Sequence, residues 1–285
     1  VGGVVYDGQD ATVLLAEADM ALREAQREGV NAWVVRRHRP QAGVPRSAKA
    51  WRELIARAIE EQRFRLPVQP VLSCPDRELL HHEVFLRVQD PGQPEIAAAE
   101  LIPMAESVGM APSVDRAVIE AVVLGLQAGA YPARVAVNLS ALSLTESGLL
   151  AWLLDELQRH PVAAAKLILE FPEYAAQAHL DHLIRWINRL TPLGVEFSLD
   201  HFGRGFGSFA HLKSLKVQYL KVDGSLVANL DQQDANRFYL RAIKEVAHGL
   251  DMRVVAESVE YDADWQVLAE IGVDGGRGHW LGSPG

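Results

Sequence analysis

The chain has 285 residues, 49% hydrophobic, enough to bury a sizeable core in one barrel or doubly wound domain with a small appendage. Its 37 acidic and 28 basic residues give a formal net charge of -9, which opposes binding to nucleic-acid polymers or anionic membrane surfaces. The single cysteine, Cys74, excludes an intrachain disulfide framework and reads as a small core residue in a reducing, cytoplasmic compartment, and no run approaches the ~18 apolar residues of a membrane-spanning helix.

In chain order, residues 3–36 read as a strand (GVVY), a helix (ATVLLAEADMALREAQREG, stopped by Gly29) and a second strand (NAWVVR). Two strands and a helix cannot close a core. This segment, 1–38, therefore reads as the tail of a domain, and an opening without an initiator Met fits an excerpt with membrane or signalling domains upstream. The polar HRPQAGVPRSAK is a linker and AWRELIARAIEEQ a connecting helix, together 39–63.

From residue 64 to 285 about eight short apolar strands alternate with amphipathic helices. The strands are RLPVQPVL, LLHHEVFLRV, RVAVNLS, KLILEF, VEFSLD, QYLKVD, RVVAES and a weakly patterned GVDGGRG. The helices include LLAWLLDELQRH, LDHLIRWINRL, ANRFYLRAIKEVAHGL and ADWQVLAEIG. This alternation predicts the α/β class and a closed parallel TIM-like (β/α)8 barrel, with its site at the carboxyl ends of the strands.

Polar residues terminate those strands: Asn138, Glu170, Asp200, Lys221 with Asp223, and Glu257, while Glu83 lies within the second. Singly, each reads as a helix cap or a solvated strand end. Together they are oxygen ligands converging on one rim, the environment of a hard divalent cation such as Mg²⁺ or Mn²⁺. Lys221 beside them would neutralise a phosphate or assist an attacking water. His81, His82, His211 and His279 read as surface or packing residues, since none stands at metal-ligand spacing from a second His or Cys.

Six ordered segments, EVFLR (83–87), VNLS (137–140), LEFPE (169–173), DHFGRGFGS (200–208), LKVDGS (220–225) and AESVE (256–260), resemble the EAL domain over residues 60–285. The resemblance implies a barrel that binds cyclic di-GMP and, in active members, linearises it to pGpG by metal-dependent hydrolysis. It further implies one metal held by Glu83, Asn138, Glu170 and Asp200, a second served by Glu257, and catalytic roles for Lys221, Glu257 and Asp223. Glu173 would brace the loop after Asp200, and Gln69, Phe85, Arg87, Asp115, Phe202, Gly203, Arg277 and Pro284 would line the dinucleotide pocket. LLAEADMALREAQREG similarly resembles the end of a GGDEF domain, though the GGDEF signature itself is absent. A homodimer is the expected assembly.

The departures sit at the chemistry. His201 stands where the family's loop has a second Asp, Arg277-Gly278-His279 replaces Gln-Gly-Tyr, and Arg204 replaces a small residue. Losing a carboxylate and gaining a guanidinium weakens a dimetal site and favours phosphate capture. A neutral imidazole is a poor Mg²⁺ ligand. The alternatives are a His201 that still ligates Mn²⁺ or is mere drift in an active enzyme, and an Arg277 that faces solvent or pairs with Asp274. The chain also resembles, more loosely, degenerate LapD-type receptors, inner-membrane proteins that bind cyclic di-GMP without cleaving it. The expectation is a cyclic di-GMP receptor with weak or absent hydrolysis. An active Mg²⁺ or Mn²⁺ phosphodiesterase is the rival, and a barrel serving only as a protein-interaction surface the third reading.

Overall fold

The computed structural model describes residues 2–5, 18, 21, 33–37, 47–203 and 209–285. Strands β1 (Gly2–Val5) and β2 (Val34–Arg37) pair in parallel, with Val4 opposite Arg36. Ala18 and Ala21 are helical; the rest of the expected helix, most of the linker and Arg204 lie outside the described residues. The connecting helix, Ala48–Glu60, starts at Ser47, whose side chain accepts a hydrogen bond from Ala50 N–H. It buries Trp51, Leu54, Ile55 and Ala58, the single stripe that its 3.6-residue period creates.

The strands that follow are β3 (Phe64–Arg65), β4 (Val68–Ser73), β5 (Leu79–Val84), β6 (Arg87–Val88), β7 (Ile96–Ala97), β8 (Arg134–Asn138), β9 (Leu167–Pro172), β10 (Glu196–Phe202), β11 (Tyr219–Val222), β12 (Arg253–Ala256) and β13 (Gly275–Gly276). Eight of them close a barrel in the order β4-β5-β8-β9-β10-β11-β12-β13, as the sequence alternation predicts. The predicted helices appear at Leu149–Arg159, Leu180–Leu190, Asp234–His248 and Asp262–Ile271. Small strands β3, β6 and β7 form an antiparallel sheet of their own.

One expectation needs correction: the barrel is not wholly parallel, because β4 runs antiparallel to both β5 and β13. Only residues 74–78 separate β4 from β5. A parallel connection needs a crossover of a dozen or more residues, so this link can only reverse the chain.

Period-two alternation divides the core. Outward residues such as Phe171 and Phe197 meet the helices, with Phe171 edge-on to Trp186 at 5.8 Å. Inward residues Val71, Ala136, Ile168, Tyr219 and Val255 form a separate cluster inside the barrel. Stepping two residues further along five of the strands leads to Gln69, Asn138, Glu170, Lys221 and Glu257, so the polar site is the layer above this cluster. Among the described residues no helix is long and apolar enough to cross a membrane.

Candidate functional site

The strand-end residues meet at Lys221. Its Nζ donates to Glu83 Oε2 at 2.9 Å and Glu170 Oε2 at 2.7 Å, and lies 3.3 Å from both Asp200 Oδ1 and Glu257 Oε1. All five side chains are buried. Burial alone would drive the ammonium toward neutrality, but four surrounding carboxylates outweigh it and hold its pKa well above the ordinary lysine value. Lys221 is therefore a fixed positive charge, not a base for water.

The carboxylates respond unequally. Burial dominates at Glu170, pushed up to about 8, and raises Asp200 too. At Glu83 burial is outweighed by Lys221 and Arg277, and the pKa falls. Glu257, buried but facing Lys221, His201 and Arg277, is held at about 2.

Two further cations enter this cluster. The Arg277 guanidinium spans Glu83 and Glu257: Nη2 donates to Glu257 Oε1 at 2.6 Å, and Nε sits 2.6 Å from Glu83 Oε2 as an ion contact outside hydrogen-bond geometry. The alternative placements of Arg277 do not hold, since Asp274 instead accepts from Val254 N–H and faces His248 Nε2 at 2.8 Å. His201 Nδ1 lies 3.1 Å from Glu257 Oε2 and 3.3 Å from Asp223 Oδ2, with Nε2 3.6 Å from Asp200 Oδ2. Its bonds to Asp223 and Glu257 push its pKa up to about 10. The neutral imidazole expected from sequence is thus an imidazolium at neutral pH, because two carboxylates face one ring nitrogen.

The supporting residues are placed as follows. Asn138 Nδ2 donates to Glu83 Oε1 at 2.9 Å. Glu173 is buried, and its Oε2 accepts from Gly203 N–H at 3.1 Å at the start of the loop after Asp200. Gly203 has φ +87°, and a Cβ there would lie 2.8 Å from Leu226 Cδ1. Phe85 lies beneath Arg277, with the guanidinium 5.4 Å from its ring centre. Gln69 is buried and donates to Gly282 O at 2.7 Å, tying down the C-terminal segment that carries half-buried Pro284. Arg87 is half-buried on β6, within the small sheet beside the barrel.

Two residues expected to line the pocket are buried. Phe202 belongs to the hydrophobic core, only 1% exposed, because a register irregularity between Leu199 and Phe202, with His201 at φ +56°, breaks the alternation that would have kept it on the Asp200 face. Asp115 is buried with Oδ2 accepting from Ser140 N–H at 2.8 Å and the Ser143 hydroxyl at 2.5 Å, so it anchors the turn after β8. Sequence reasoning missed the His201–Asp223 pair, although Asp223 stands two residues after inward Lys221.

The residues offer oxygens suited to a divalent cation. Glu83, Asn138, Glu170 and Asp200 stand together, and Glu170 Oε1 is buried with no hydrogen-bond partner among the described residues, an oxygen available to a hard cation. On the other side, ligand atoms of Asp200, His201 and Glu257 gather within 4.8 Å of one another, with the His201 ring facing Asp223 and Glu257 and Arg277 engaging Glu257.

The EAL domain family model matches residues 52–284. The bifunctional diguanylate cyclase/cyclic di-GMP phosphodiesterase MucR of Pseudomonas aeruginosa is 29% identical over the whole of this chain, which spans 42% of that relative's length. The EAL domain of FimX from Pseudomonas aeruginosa, solved bound to c-di-GMP, is 29% identical, covers 82% of this chain and 96% of its own, and superposes with a TM-score of 0.75. The S helix-GGDEF-EAL portion of LapD from Vibrio cholerae, bound to c-di-GMP, shares the fold with a TM-score of 0.87 at 24% identity over 96% of this chain and 67% of its own.

Proposed function

This chain belongs to the EAL domain family, and on that premise we propose that it is a cyclic di-GMP receptor whose hydrolytic activity is weak or absent. The observation that carries this reading is the placement of Arg277 and His201 among the carboxylates. Glu83, Glu170, Asp200, Asp223 and Glu257 face three built-in cations, Lys221, His201 and Arg277. In a two-metal site the second ion shares the attacking water and the leaving oxygen. Here Glu257 and Asp223, the oxygens it would use, are already engaged by side chains.

Arg277 is suited to a phosphodiester oxygen: it is planar, permanently charged, and mounted over Phe85. A divalent ion on Glu83, Asn138, Glu170 and Asp200 would supply Lewis-acid polarisation of a phosphoryl oxygen. The chain's own residues would do the rest. Lys221 keeps the carboxylates at fixed spacing, Glu173 holds the Gly203 turn, and Arg87 and Gln69 border the rim on which a guanine dinucleotide would lie. The segment 1–38 we read as the end of a GGDEF-like domain, consistent with the parallel β1–β2 pair.

Calorimetry of cyclic di-GMP binding with and without excess EDTA tests this reading. Binding of similar strength in both is expected. Binding that vanishes with the chelator would make the cation obligatory and restore the phosphodiesterase reading, in which His201 and Arg277 move aside.

A further inference from the structure

Below the carboxylate cluster, the inner layer of the barrel contains two polar side chains, His81 and Ser198, each 1% exposed. His81 lies two residues before Glu83 on β5, and Ser198 two before Asp200 on β10, so alternation points both toward the barrel axis. The His81 ring rests against Tyr219, centres 5.0 Å apart, and Tyr219 lies two residues before Lys221. Strand register sets Ser198 beside Tyr219 on one side and Glu170 on the other. Ser198 and Tyr219 are thus neighbours in this layer, and His81, with two strands between it and Ser198 in the barrel order, reaches Tyr219 across the interior.

None of their polar atoms has a hydrogen-bond partner among the described residues: His81 Nδ1, His81 Nε2, Ser198 Oγ and, just above, Glu170 Oε1 are all buried and unpaired. Buried polar groups in folded proteins are almost always satisfied, by protein or by ordered water. A packing role does not explain them, because an apolar side chain would fill the same space without leaving a donor and an acceptor unmet. Ala136, inward on the neighbouring strand β8, adds little bulk to the interior. At the floor, Arg134 and Glu196 pair at 3.3 Å and each keeps one unpaired buried atom, while both side chains remain partly open to solvent.

We propose that the barrel holds an ordered-water site beneath the carboxylate cluster, built from His81 and Ser198, and that His81 is a positioning residue acting through this water on Glu170. Water is the ligand these atoms fit: a neutral imidazole needs one acceptor and one donor, a hydroxyl needs both, and the layer carries no charge that would call for an ion. His81 then fixes the carboxylate that Lys221 grips from its other oxygen.

The test uses the full 285-residue chain labelled with ¹⁵N. Water–protein cross-relaxation to the His81 ring N–H is expected, as from long-lived internal water. A second arm rests on the function proposed above. In it, His81→Leu should weaken cyclic di-GMP binding on the order of 10-fold, and His81→Gln, which keeps a donor and an acceptor, should stay within about 3-fold of the parent. Absence of the water signal in the parent overturns the proposal, as does equal weakening by Leu and Gln. A parent that shows the water signal but does not bind cyclic di-GMP rejects the receptor reading and leaves the water site standing, since the first arm needs no ligand.

Discussion

Replacing Arg277 by Gln removes one cation from between Glu83 and Glu257 and nothing from the barrel's hydrophobic core. The loss is large because both partners are almost inaccessible, 1% and 3% exposed, while the Arg277 side chain is itself only 15% exposed. Breaking a buried pair costs about 3–5 kcal/mol when the remaining charge is left alone. Here it is not alone, since Lys221 still touches Glu83 at 2.9 Å and Glu257 at 3.3 Å. A loss of about 2–3 kcal/mol is therefore expected, close to that of a charge-assisted hydrogen bond. For a domain of this size that corresponds to about 4–12 °C in Tm. Thermal unfolding should show this drop without divalent ions and a recovery of much of it with millimolar Mn²⁺, because the freed carboxylates then take a metal. The parent, in which Arg277 occupies the Glu83–Glu257 position, should gain less from Mn²⁺ than Arg277→Gln does. A parent stabilised by Mn²⁺ as strongly as Arg277→Gln would refute the argument that the guanidinium holds the second cation position.

The other predictions concern separate elements of the site. His201, with its folded pKa raised to about 10 from the ordinary histidine value of 6.5, contributes stability that is complete below about pH 6.5 and lost as pH rises toward 10; His201→Gln should flatten this part of the stability–pH curve, as read by denaturant midpoints. Gly203→Ala should cost about 1–2 kcal/mol, read by chemical denaturation, from its left-handed backbone, plus whatever shift Leu226 must make; a neutral result would mean the turn is free to rearrange. The double variant His201→Asp with Arg277→Gln should convert cyclic di-GMP to pGpG in Mn²⁺ well above the parent and above either single variant, followed by chromatography of the products. A double variant that binds ligand yet stays inert would place the defect elsewhere in the loop after Asp200.

Much of this was legible before the structure. The eight barrel strands follow from runs such as LILEF and VEFSLD separated by helical periods, and the rim follows from asking what ends each run. The direction of β4 was not, because periodicity gives a strand's faces and not its sense; only the five-residue gap before Leu79 carries that information. Phe202 and Asp115 were placed in the pocket by resemblance; strand alternation would have kept Phe202 on the Asp200 face, and only the irregularity at His201, invisible in the sequence, turns it into the core, while Asp115 is bonded to Ser140 and Ser143. The charge on His201 could not be read at all. It depends on Glu257 and Asp223 arriving within 3.3 Å of one nitrogen from two other strand ends, a three-dimensional coincidence. Arg277 shows the same limit: its presence was plain, its inward turn was not.

The central claim is that this site holds its dinucleotide and leaves it intact. The direct measurement is incubation of the unmodified chain with an equimolar amount of cyclic di-GMP in Mn²⁺, followed over time for bound ligand and linear product. The account predicts ligand that stays bound and cyclic, with pGpG accumulating slowly if at all. Rapid, complete conversion to pGpG would contradict it and identify the chain as a working phosphodiesterase.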